Sequence, residues 1–161
     1  MRSKTLMAAA IIVVAGFPAA CSSAATAPPA ASAAALVPAA PSAAPAGGGP
    51  AVMTATVGTQ GTLLVAGANG MTVYTYAKDI ANSGTSACTG ACLTRWPALT
   101  VPAGSTPAGG SGVTGKLGTI TRSDDNSTQV TYNGLPLYFF SGDKTPGDAN
   151  GIYTGWAAVK P

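Results

Sequence analysis

Two aspartates, two tyrosines and two cysteines are the residues of this sequence whose types and spacing could do chemistry. Asp79 and Asp143 each follow a tyrosine at the same interval, Tyr74 and Tyr138, with a second aromatic, Tyr76 or Phe140, in between. Two such carboxylates meeting at a pseudo-two-fold axis could share a proton or bind a cation. The Asp-Thr/Ser-Gly loops of aspartic proteases are absent, however. A turn-capping role, in which each carboxylate accepts backbone N–H bonds, explains the residue type without a ligand and is the expectation. In a strand, Tyr74 and Tyr76 share one face, as do Tyr138 and Phe140. That face is either core or an exposed platform for a glycan or other flat ligand, and a small β domain needs its few aromatics inside.

Cys88 and Cys92 enclose Thr89-Gly90-Ala91, with Gly90 allowing a tight bend. A structural disulfide is expected in an oxidising compartment, stabilising the fold by about 2 kcal/mol for so short a loop. A redox-active pair is the alternative, although no basic residue nearer in sequence than Arg95 could lower a thiol pKa. Metal binding by two thiolates would need more ligands, and only Met53 and Met71 offer soft ones in this region. Asp143, Asp148 and Asn150 put oxygens on one loop, but Lys144 sits among them and no calcium-loop pattern is complete. A polar turn is expected there.

The sequence contains no histidine and no glutamate. Ser-His-Asp and Cys-His catalysis, His-ligated zinc and c-type haem attachment are thereby excluded. Any acid–base chemistry would rest on Asp, Lys or Tyr, so no catalytic residue, metal or cofactor is assigned and a non-enzymatic protein is expected. Beyond the first few residues the charges are Lys78, Arg95, Lys116, Arg122, Lys144 and Lys160 against five aspartates. No basic cluster exists to hold phosphates, so nucleic acid is not a partner.

An internal repeat must position these residues. Gly70 to Asp79 aligns without gaps on Gly134 to Asp143, and Asn69 and Asn133 give Asn-Gly in both copies. Val57-Gly58-Thr59 and Leu117-Gly118-Thr119 lie upstream, Trp96 and Trp156 downstream. Asn-Gly between alternating Val/Tyr/Thr/Phe runs is a hairpin signal. The expected pairs are Thr62–Ala66 with Thr72–Tyr76, and Gln129–Tyr132 with Leu137–Phe140. Pro136 should start its strand or lie on an edge. The predicted fold class is all-β, mainly antiparallel. Two tandem hairpin-based repeats (52–100 and 116–161) pack face to face as one small domain, joined by the Gly/Pro-rich residues 101–115.

Ahead of the repeats, Arg2 and Lys4 precede an apolar stretch from Leu6 to Phe17 and then Pro18-Ala19-Ala20-Cys21. This reads as a signal peptide over residues 1–20. With Cys88 and Cys92 paired, Cys21 is left over at the end of the apolar run. The arrangement resembles a bacterial lipobox, in which this cysteine is acylated, with Pro18 departing from the usual aliphatic residue. A secreted, unlipidated product is the alternative. Residues 21–51, rich in Ala, Pro and Ser, form a disordered tether that could span on the order of 90 Å if extended.

Together, the tandem Tyr-x-aromatic-x-x-Asp motifs on a Cys-anchored exported chain resemble the bacterial secreted-repeat lipoproteins. Further matches are Cys88 to Cys92 followed by Arg95-Trp96-Pro97, and Tyr132-Asn133-Gly134 leading into Pro136-Leu137-Tyr138. The resemblance implies a lipid-anchored protein at the outer face of the cell membrane, with the membrane as a partner and cell-wall or envelope components as further candidates. It implies no particular activity. A redox accessory using Cys88/Cys92 and a ligand-binding module using the aromatic/Asp motifs remain alternatives to a structural or binding module.

Overall fold

The computed structural model describes residues 49–161. The signal peptide, Cys21 and nearly all of the tether lie outside the described residues. Strand β1 (Val52–Val57) and β2 (Gly61–Ala66) form an antiparallel hairpin around a three-residue 3₁₀ turn, Gly58–Gln60. Positive φ at Gly58 and Gly61 closes that turn. β3 (Tyr74–Tyr76) pairs antiparallel with β8 (Trp156–Ala158). β4 (Thr100–Val101) and β5 (Leu117–Thr121) flank β6 (Thr128–Tyr132), which also pairs with the two-residue β7 (Leu135–Pro136). Among the described residues α-helix is confined to one turn, α1 (Cys92–Arg95). Among the described residues no helix is long and apolar enough to cross a membrane. The all-β, antiparallel fold class is as expected.

The strand partners are not all as expected. Thr62–Ala66 pairs with β1, and only Val65 bridges to Thr72 across the Asn69-Gly70 turn. The short β1–β2 loop lets this pairing form with little chain to close. Gln129–Tyr132 does meet the segment after Asn133-Gly134, through Leu135 and Pro136 and a last bond from the Leu137 N–H to the Val130 carbonyl (2.9 Å). Asn133 and Gly134 both take positive φ, +50° and +83°, as a two-residue primed turn requires. Pro136 lies in the short β7, consistent with its missing donor. Beyond Leu137 the chain leaves β6, and Phe139 donates its N–H to the Pro97 carbonyl (2.7 Å).

Stacked, self-contained hairpins are therefore replaced by interleaved repeats. In the first half, Leu64 N–H donates to the Val159 carbonyl, Val159 N–H to Val73 and Val73 N–H to Leu64. In the second half the same ring of bonds joins Val130, Leu99 and Leu137. Each ring takes its third strand from the other repeat: Val159 crosses into the first half and Leu99 into the second. Pro97 stands where β8 has Ala157, and without an N–H it leaves Trp96–Ala98 unable to form a full ladder like β8. The principal core draws on both halves, with Val52, Leu64, Ala66 and Val73 packed beside Leu99, Val130, Leu137 and Phe139.

Candidate functional site

The two motif tyrosines face each other across the centre of the molecule. Tyr74 N–H donates to the Tyr138 carbonyl (2.8 Å) and Tyr138 N–H to the Tyr74 carbonyl (2.9 Å). This reciprocal bridge is a local two-fold axis, and both side chains are fully buried. A buried phenol needs a partner for its hydroxyl, and each finds it in the opposite repeat. Tyr74 Oη donates to Asp143 Oδ2 (2.6 Å), and Tyr138 Oη donates to Asp79 Oδ2 (2.7 Å).

The remaining carboxylate oxygens hold the loops. Asp79 Oδ1 accepts the Ala87 N–H at 2.7 Å, and Asp143 Oδ1 accepts the Asn150 N–H at 2.9 Å. Each aspartate thus binds loop backbone, as expected, and a tyrosine as well. Gly151 N–H donates to Tyr74 Oη (3.2 Å), while Ser86 Oγ lies 2.6 Å from Tyr138 Oη. Gly151 sits against the Tyr74 ring, where a Cβ would come within 2.7 Å of Cζ. Burial, together with the Asp143 carboxylate, pushes the Tyr74 phenol far above its ordinary value. Burial likewise raises Tyr138, with Ser86 opposing and Asp79 adding to the shift. Both phenols are therefore protonated, and each donates its hydroxyl hydrogen to an aspartate oxygen of the opposite repeat.

The other motif aromatics form a column with the tryptophans. Trp96 and Trp156 stack in parallel at 3.7 Å. Tyr76 stacks on the far side of Trp156 (4.3 Å), and Phe140 lies against Trp96 at 4.7 Å. Each outer ring thus meets the tryptophan of the other repeat. Each motif tyrosine meets its own tryptophan edge-on: Tyr74 with Trp96 at 5.5 Å, Tyr138 with Trp156 at 5.2 Å. Tyr74, Tyr138 and Phe140 are core, and Tyr76 is half-buried at the end of the column.

Cys88 and Cys92 form a disulfide, and Gly90 between them takes φ +57°. Cys88 is fully buried and Cys92 half-buried, packed against the Trp96 cluster. Met71 packs at the edge of a different cluster. Among the described residues no group of three or more His, Cys, Asp or Glu could hold a metal ion. The 143–151 loop is tied by its own carboxylate, Asp148 Oδ2, which accepts the N–H groups of Lys144 (2.7 Å) and Thr145 (3.0 Å). These bonds hold Asp148 below the usual carboxylate range.

Sequence reasoning missed a buried cation. Arg122, only 3% exposed, donates to Gln129 Oε1, to the Cys88 carbonyl (2.7 Å) and to both oxygens of Asp124. It brings a basic group to the backbone of Cys88 from the second repeat. Gln129, fully buried, donates in turn to the Leu137 carbonyl (2.8 Å). The reciprocal use of Tyr and Asp was also missed, because a motif repeated along the chain looks self-contained.

Residues 54–100 and 118–160 each match a family model described as a secreted repeat of unknown function. Comparison with curated proteins and with solved structures found no match.

Proposed function

We propose, for a chain that belongs to this family of secreted repeats, a cell-envelope lipoprotein whose two repeats make one non-catalytic structural or binding module. The observation that carries this reading is the reciprocal Tyr74–Asp143 and Tyr138–Asp79 pairing. The side chains best suited to acid–base work are engaged by each other and by loop backbone, and are almost wholly buried. A buried group whose hydrogen bonds are all satisfied specifies a fold rather than turning over a substrate. Cys21 is the proposed acylation site, with the Ala/Pro/Ser-rich segment after it lifting the module away from the membrane.

Mass spectrometry of the protein extracted from membranes tests both halves of this reading. The expected spectrum has a diacylglyceryl mass on Cys21, and Cys21→Ser releases the protein into the medium. An unmodified Cys21 sinks the anchor and leaves a secreted module. Catalytic turnover that Asp143→Asn abolishes without loss of fold would sink the non-catalytic reading.

A further inference from the structure

The aromatic column ends differently at its two ends. At one end the Arg95 guanidinium covers Phe140, 5.6 Å from the ring centroid, and also lies 5.4 Å from the centroid of Tyr153. The residue equivalent to Arg95, immediately before the second tryptophan, is Gly155. The backbone confirms the equivalence, since Ser141 N–H donates to the Arg95 carbonyl (2.9 Å) and Ala77 N–H to the Gly155 carbonyl (2.8 Å). Gly155 takes φ +86°, and a Cβ placed on it would lie 3.8 Å from Tyr76 Cε2. The chain therefore turns left-handed beside Tyr76 where, at the other end, it projects an arginine. Tyr76 and Trp156 instead line an open groove of about 350 Å³, with Thr75, Leu135 and Ala157 beside them. Asp79 also lines this groove and is the only charged residue that does.

We propose that this groove binds a guanidinium group, presented as an arginine side chain by a partner polypeptide and seated by Tyr76 as Arg95 is by Phe140. The molecule itself supplies the precedent for the geometry at the equivalent ring. A guanidinium is planar and weakly hydrated, so it stacks on an aromatic ring more readily than a lysine ammonium does. The Asp79 carboxylate provides the complementary charge that the cation needs on leaving water. Leu135 and Ala157 supply apolar surface for the aliphatic stem of a long side chain. Lys78, exposed next to Asp79 in sequence, does not line the groove.

The proposal rests on the reading of the chain as a binding module, and its test is independent of the anchor. The full-length protein is titrated with N-acetyl-arginine amide and, separately, N-acetyl-lysine amide, following the Trp156 indole resonance by NMR. The arginine probe is expected to give a saturable shift in the millimolar range, and the lysine probe to bind several-fold more weakly. Tyr76→Leu keeps an apolar side chain against Trp156 and is expected to lose the shift. Ala157→Arg brings a competing guanidinium into the groove and is expected to weaken binding several-fold with Tyr76 in place. Both variants leave the Tyr–Asp pairs untouched, so an unchanged thermal unfolding midpoint shows that the fold is intact. Equal shifts from the two probes overturn the proposal in favour of a bare charge contact. A shift that never saturates, or one that survives Tyr76→Leu, also overturns it.

Discussion

The two repeats share a skeleton and differ in what braces it. Each gives a tyrosine, an aromatic, an aspartate and a tryptophan to the shared centre, and each sends its last strand into the other half. The loop between aspartate and tryptophan is four residues longer in the first repeat (79 to 96, against 143 to 156) and is closed by the Cys88–Cys92 disulfide. The second repeat's loop has no cross-link and is tied by Asp148 and by Gly151 against Tyr74. Arg122 then clasps the first loop from the second repeat, with Val57 at its counterpart position. The centre thus requires the Tyr–Asp exchange in both copies, whereas the loops around it can be held by different chemistry.

The largest effects should come from the exchange itself. Asp143→Ala strips acceptors from the buried Tyr74 hydroxyl and from the partly buried Asn150 N–H, which should cost about 3 kcal/mol. Asp79→Ala should cost less, about 2 kcal/mol, because Ser86 Oγ remains within reach of the Tyr138 hydroxyl. Urea denaturation with the disulfide intact measures both. A double-mutant cycle separates the pairings: Tyr74→Phe with Asp143→Asn should be non-additive by about 1 kcal/mol or more. Tyr74→Phe with Asp79→Asn, two residues of one motif, should be additive within about 0.5 kcal/mol. Coupling inside a motif and additivity across the repeats would contradict the exchange.

Next in size is the disulfide. The Cys88→Ala/Cys92→Ala variant should lose about 2 kcal/mol through the freed unfolded chain. Hydrogen exchange should then speed up at Ala87 and around α1 while the 143–151 loop stays protected. Equal loosening of both loops would mean that the two halves are not separately braced.

Alkaline pH tests the two phenols together. The folded-state pKa of Tyr74 and of Tyr138 is raised, so each contributes stability that is complete below the unfolded value of 10.0. Above that pH the unfolded chain releases protons that the folded chain keeps, and stability falls by about 1.4 kcal/mol per phenol per pH unit. Tyr74→Phe and Tyr138→Phe should each remove one such contribution from the pH slope of the denaturation midpoint. A slope unchanged in either variant would mean that that tyrosine ionises freely in the folded protein.

Periodicity and spacing carried much of this architecture. Two copies of Asn-Gly before an alternating aromatic run identified the repeats and the Asn133-Gly134 turn, because a primed turn has few residue choices. The Cys88–Cys92 bridge followed from proximity in the chain. The pairing of Tyr74–Tyr76 with Trp156–Ala158 did not, because it joins residues some eighty positions apart and no local pattern encodes a partner strand. Tandem duplication hid the exchange for the same reason: within one motif Tyr74 and Asp79 are neighbours, and nothing in their spacing says that each bonds the other copy. Arg122 was illegible because a lone arginine near Asp124 and Asp125 reads as a solvated turn.

The smallest expected effect isolates that clasp. Asp124 accepts two hydrogen bonds from the Arg122 guanidinium, at 3.0 and 2.8 Å, and this holds its carboxyl below the ordinary value of 3.8. A depressed folded-state pKa contributes stability that is present above the unfolded value and lost as pH falls through the folded one. Asp124→Asn should therefore cost under about 1 kcal/mol at neutral pH, since Asp124 is partly solvated and Arg122 keeps Gln129 and the Cys88 carbonyl. The difference from the parent protein should shrink in acid, because the parent loses its carboxylate there and the variant has none to lose. A difference that stays constant from neutral pH down to strong acid would show that Asp124 acts through packing alone. The asymmetric bracing of the first loop would then rest on the disulfide and the Cys88 carbonyl bond, with no contribution from charge.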